Sequence, residues 1–150
     1  MNILALDMAT VTGWASLIDG RIESGVQDFT KRRGESNGML FLRFNTWLAS
    51  LENQAHIDLV VYEQAHHRGG AATEIGVGLM TRAQEFASRI MAEYMAVHTS
   101  SLKKFATGSG RASKEDMVAY ATRQSGRLVE DDNEADAIAL LYYGMKEVGL

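Results

Sequence analysis

Three acidic side chains occupy positions where chemistry is possible. Asp7 closes a short apolar run, Ile3 to Leu6, and Glu63 closes another, Leu59-Val60-Val61-Tyr62. Asp136 falls in the first turns of a helical stretch where Ala135, Ala137 and Ala139 flank it with small side chains. A carboxylate ending a core strand is unusual unless it is paired or metal-bound. Strand ends are also where ligand sites form in α/β sheets. Three carboxylates drawn together repel strongly enough that at least one would take up a proton, and a divalent cation removes the conflict. Oxygen donors in a chain without cysteine select a hard ion, Mg²⁺ with Mn²⁺ as a substitute. Two such ions roughly 4 Å apart can hold the attacking water and the leaving oxygen of an in-line phosphoryl displacement. The expectation is metal-dependent phosphodiester hydrolysis, with Asp7, Glu63 and Asp136 as the core of a two-ion site. Each acid also has a plainer reading. Asp7 suits a cap on the turn into Met8-Ala9-Thr10, and Asp131, Asp132 and Glu134 suit the positive end of a helix dipole.

Basic residues cluster at Lys31-Arg32-Arg33, at His66-His67-Arg68 and between Lys103 and Lys114. The formal net charge of −4 argues mildly against a nucleic-acid partner. The distribution of charge outweighs its sum, although each cluster alone also fits a solvated surface. His66 and His67 do not make a natural metal pair, because adjacent side chains on an extended segment point apart.

Stepping along the chain shows which elements must hold these residues. The 150 residues suit one domain with a single core, and 46% hydrophobic with 23% charged residues is ordinary for a globular protein. Without cysteine there is no disulfide scaffold, which fits a reducing compartment. Neither a signal peptide nor an apolar run of membrane-spanning length is present in the sequence, so the expectation is a cytoplasmic protein. Ile3–Leu6, Gly13–Ile18 and Arg21–Phe29 read as strands, the last two joined by an Asp19-Gly20 hairpin turn. Leu40, Phe44, Trp47, Leu48 and Leu51 share one face of a helix over 34–53. A strand over Ile57–Tyr62 is followed by a Gly-rich loop, a long helix from Thr73 to Tyr94 and a short strand from Met95 to Thr99. Ser100 and Ser101 suit the cap of a short helix through Phe105. Ser113, with Asp116 at the third helical position, predicts a capped helix through Gln124. The last helix is expected from Asp132 to Val148. The order β-β-β-α-β-α-β-α-α-α predicts an α/β domain with a mixed five-stranded sheet and helices on both faces.

Four segments in this order resemble RuvC-type Holliday junction resolvases, a branch of the RNase H-like nucleases. Leu4-Ala5-Leu6-Asp7-Met8-Ala9-Thr10-Val11-Thr12-Gly13-Trp14-Ala15 is similar to the family's first motif, and Val60-Val61-Tyr62-Glu63-Gln64 to its second. Thr107-Gly108-Ser109-Gly110-Arg111-Ala112-Ser113-Lys114-Glu115 resembles its Gly-x-Gly-x-Ala-x-Lys segment, and Asn133-Glu134-Ala135-Asp136-Ala137-Ile138-Ala139-Leu140 its acidic last helix. The likeness covers nearly the whole chain. It implies an RNase H-like fold and a homodimer that binds four-way DNA junctions and makes paired symmetric nicks with Mg²⁺-activated water. Carried over by position, Asp7, Glu63 and Asp136 are metal ligands, Lys114 is a catalytic lysine near the scissile phosphate, and Lys103 contacts phosphate. Arg111 and the loop His66-His67-Arg68 are the remaining DNA-binding candidates.

Two positions depart from the family pattern. The last helix usually offers a second ligand three residues before its Asp; here that residue is Asn133, which brings a carbonyl oxygen but no charge. Asp132 is the alternative. After Glu63-Gln64 the bacterial enzymes often carry a bulky aromatic; here the stretch is Ala65-His66-His67-Arg68, where His66 could stack on a base or the loop bind phosphate. The compact length, without the C-terminal tail of some relatives, suits a phage or prophage version. Competing functions are a broader branched-DNA nuclease, a YqgF-type RNase acting on ribosomal RNA precursors, and a junction-binding protein without catalysis. An actin-like ATPase, which Asp7 with Thr10, Thr12 and Gly13 also resembles, needs a second lobe that this length cannot supply. Dimerisation would suit the two cuts of a two-fold junction, and Ile75, Val77, Leu79 and Met80 put apolar residues on more than one face of the long helix.

Overall fold

A computed structural model describes residues 1–66 and 69–150. The chain opens with an antiparallel meander, β1 (Ile3–Asp7), β2 (Val11–Ile18) and β3 (Arg21–Asp28). Asp19 and Gly20 both adopt positive φ, 50° and 79°, at the turn between β2 and β3. Two such residues match the right-handed twist of a two-residue hairpin, which is why Asp-Gly serves there. Helix α1 (Asn37–Glu52) leads to β4 (Leu59–Glu63), α2 (Gly70–Arg89) to β5 (Glu93–Val97), and α3 (Thr99–Thr107), α4 (Lys114–Ser125) and α5 (Asp132–Glu147) complete the chain. The strands lie in the order β3-β2-β1-β4-β5. β1 pairs antiparallel with β2 and parallel with β4, and β4 pairs parallel with β5.

Alternation along the central strands sends side chains to two separate cores. Ile3, Ala5, Leu59 and Val61 pack beneath α3, α4 and α5 with Leu102, Met117, Ile138 and Leu140. Leu4, Leu6, Val60 and Tyr62 pack beneath α1 and α2 with Leu40, Phe44, Leu79 and Phe86. The result is a mixed five-stranded sheet with helices on both faces, as the element order predicts. The near-continuous apolar sequence of β1 and β4 follows from burial on both sides.

Some boundaries move. The long helix begins at Gly70 and ends at Arg89, so Tyr94 and Met95 both belong to β5. α3 starts at Thr99 after His98, which makes no side-chain cap; Ser100 and Ser101 lie inside the helix rather than capping it. The Ser113–Asp116 capping box of α4 is present in both directions. Leu79 and Met80 are buried within this chain, and Ile75 packs against the same cluster. Most of the apolar surface expected to serve a partner through α2 is therefore used internally.

Candidate metal centre

Alternation and register bring the two strand-end acids together. Ile3, Ala5 and Asp7 share one face of β1, and Leu59, Val61 and Glu63 share the corresponding face of β4. The parallel register aligns Leu6 with Tyr62, so the next residues, Asp7 and Glu63, leave the sheet side by side beneath α5. Asp7 also pairs across β1–β2 with Gly13. A Cβ on Gly13 would lie 1.9 Å from the carbonyl oxygen of Asn133, so only glycine lets the first turn of α5 settle there. Ala135, Ala137 and Ala139 are fully buried, and a Cβ on Gly144 would meet Val61 at 2.6 Å. This close seat carries Asp136 to the strand ends. Thr12, fully buried, donates from Oγ1 to the carbonyl of Ala9 at 2.7 Å and holds the turn that follows Asp7.

One carboxylate oxygen from each of Asp7, Glu63 and Asp136 lies within 4.8 Å of the others. Among the described residues no other group of three acidic or histidine side chains converges in this way. The crowding shows in their proton affinity. Burial holds the Asp7 carboxyl well above its usual range, and Asp136, Glu63 and Asp132 push it further, as does a hydrogen bond with Glu63. Asp136 is pushed up to about 7, by burial first and then by Glu63 and Asp132, against the opposing pull of Lys103 and Lys114. An all-oxygen donor set, carboxylates that resist joint ionisation and contributions from three separate elements together fit a hard divalent cation.

The remaining candidates sit at different distances from this point. Lys103 on α3 and Lys114 at the start of α4 are both near enough for their charge to act on Asp136. Lys114 Nζ stands 3.4 Å from Asp132 Oδ2, with its side chain largely exposed. Asn133 donates from Nδ2 to the carbonyl of Val11 at 3.1 Å, tying α5 to the start of β2. Asp132 bears on Asp7 and Asp136 through its charge but is not one of the three converging acids. Arg111 lies on the exposed turn between α3 and α4. His66 lines, with Asp7, Glu63, Gln64, Thr73 and Gly76, a cavity of about 370 Å³ beside the acids. His67 and Arg68 lie outside the described residues.

Sequence reasoning missed Thr99. Its hydroxyl donates to Glu63 Oε1 and lies 3.2 Å from His66 Nε2. The signal was positional: Glu63 pairs with Val97, and Thr99 follows two residues later.

The layered five-stranded sheet has an RNase H-like α/β fold. Within that class the fold is the RuvC type. Thermus thermophilus RuvC superimposes with a TM-score of 0.75 at 16% identity, covering 99% of this chain and 97% of that one. T. thermophilus RuvC in complex with a Holliday junction substrate gives 0.80 at 16% identity, over 98% and 96%. The yeast mitochondrial Holliday junction resolvase Ydc2 gives 0.61 at 13% identity, over 92% and 75%. No protein-family model and no curated protein matches the chain. Among the described residues no helix is long and apolar enough to cross a membrane.

Proposed function

We propose that this chain is a divalent-metal-dependent endonuclease that resolves four-way DNA junctions by paired symmetric nicks, working as a homodimer. The observation that carries the proposal is the meeting of Asp7, Glu63 and Asp136 within 4.8 Å at the sheet edge, with two lysines close by. The likeness of the fold to resolvases, one of them holding a junction substrate, supports the choice of DNA junction over other phosphodiesters. Asp7, Glu63 and Asp136 would hold Mg²⁺, or Mn²⁺ in its place, and the side-chain amide oxygen of Asn133 is the candidate fourth donor. When bound, two such cations supply Lewis acidity toward the phosphate and a nucleophilic water at neutral pH. Lys114 and Lys103 stabilise negative charge on the phosphoryl oxygens. Arg111 and the His66-His67-Arg68 loop contact the DNA arms, where phosphate contacts set position more than sequence.

The test is nicking of a synthetic four-way junction with Mg²⁺ or Mn²⁺. Asp7→Asn, Glu63→Gln and Asp136→Asn should each lower the nicking rate by about 100-fold or more while junction binding persists. Three-way and flap substrates run alongside separate a junction resolvase from a broader branched-DNA nuclease. A junction-binding protein without catalysis is the second reading; uncharged Asn133, tied to Val11, is the observation on its side. It prevails if the parent binds junctions but never cuts them with either ion. Sedimentation at micromolar concentration checks the dimer, and a strict monomer counts against it.

A further inference from the structure

The environment of Glu63 contains a hydroxyl that no feature of the fold requires. Thr99 is the first residue of α3, and its hydroxyl bonds to Glu63 and His66 rather than to the helix backbone. Among the described residues no other hydroxyl hydrogen-bonds to Asp7, Glu63 or Asp136. The sheet puts Thr99 in place. Gln64 N donates to the carbonyl of Val97 at 2.9 Å, extending the β4–β5 pairing one step beyond Glu63 and holding the start of α3 against it.

The direction of each hydrogen bond follows from counting protons. A threonine hydroxyl has one proton to give and two lone pairs to receive. Its proton goes to the Glu63 carboxylate. The same hydroxyl lies 3.2 Å from His66 Nε2, and the imidazole tautomer protonated there donates to the threonine oxygen. A short chain of contacts thus runs from imidazole to hydroxyl to carboxylate. The terminal torsion of a glutamate is soft, so each hydrogen bond to Glu63 narrows the orientations of its oxygens. A held oxygen fixes the carboxylate plane.

We infer that Thr99 is a positioning residue: it orients the Glu63 carboxylate for a divalent cation and, through the same hydroxyl, anchors His66 at the rim of the neighbouring cavity. This rests on the metal-dependent reading above. Partners that hydrogen-bond to metal-ligating side chains typically set affinity by roughly 10- to 100-fold.

The decisive comparison is Mn²⁺ affinity of the whole protein, measured by paramagnetic resonance or calorimetry, for the parent, Thr99→Val and Thr99→Ser. Thr99→Val keeps the shape and removes the hydroxyl; it should weaken Mn²⁺ by about 10-fold or more, with the melting temperature in chelator unchanged. Thr99→Ser should restore affinity to near the parent value. If Thr99→Val does not fold, Thr99→Ala takes its place. Junction nicking is followed in parallel. A parent that binds Mn²⁺ and nicks, with Thr99→Val binding as tightly, overturns the role of Thr99 alone. Failure of Thr99→Ser to rescue shows that packing rather than the hydroxyl matters, and also overturns it. A parent that binds no Mn²⁺ sinks the metal reading and this inference together.

Discussion

Under the proposed metal site, Asp136 would couple proton uptake, cation binding and stability at one residue. Its carboxyl is raised from 3.8 to about 7 in the folded chain, so the fold binds that proton more tightly than the unfolded chain does. The resulting stability is fully present below pH 4 and is lost as the pH rises through about 7. Asp7 shifts in the same direction. Metal-free protein should therefore melt at a higher temperature at pH 5 than at pH 8. Millimolar Mg²⁺ should recover the loss at pH 8, because the cation replaces the missing protons. Asp136→Asn should flatten the pH dependence in chelator. Thermal melts at the two pH values check this; a melting temperature in chelator that rises toward pH 8 contradicts it. The three acids were legible in the sequence because each ends or opens an apolar element where a charge is out of place. Thr99 was not. A lone threonine among Thr99-Ser100-Ser101 carries no apolar contrast, and its contact with Glu63 depends on a β4–β5 register that one sequence does not fix.

The seat of α5 on the sheet decides whether Asp136 joins the other two acids at all. Gly13 is the tightest point of that seat, since the obstructing atom is backbone carbonyl and cannot rotate away. Gly13→Ala should cost on the order of 3 kcal/mol, read by chemical denaturation. It should also lower metal affinity in whatever fraction stays folded, because α5 must lift. Stability close to that of the parent would mean that the helix does not sit this close. The α4 cap gives a milder case. Ser113→Ala removes one direction of the capping box and should cost about 1 kcal/mol. Most elements were readable from period and caps. The Asp-Gly hairpin and the Ser113 box are local chemistry, and both stand where expected. The end of α2 was placed about five residues late because Ile90, Met91 and Tyr94 continue an apolar rhythm that helix and strand share. The turn hangs on Met91, which adopts φ 60°, a conformation that side-chain type does not announce.

At the scale of the whole molecule, the proposed action on DNA requires a protein of net charge −4 to attract a polyanion through the arrangement of its charges. Lys103 and Lys114 face the acids, so the same surface carries both the attraction and its main obstacle. On the proposed function, without cations, ionised carboxylates stand where a phosphate would approach. Removing one of them should strengthen metal-free binding, the opposite of its effect on cutting. A unit charge at contact distance in water is worth about 1 kcal/mol, so Asp136→Asn in chelator at pH 8 and low salt should bind a four-way junction about five-fold more tightly than the parent. Lys103→Ala and Lys114→Ala should weaken binding to all DNA sequences alike. Each should also lower the slope of log affinity against log salt by about one. Fluorescence anisotropy across a salt series measures both effects. If Asp136→Asn binds no more tightly in chelator, the carboxylates do not face the DNA backbone, and junction binding would have to use another surface.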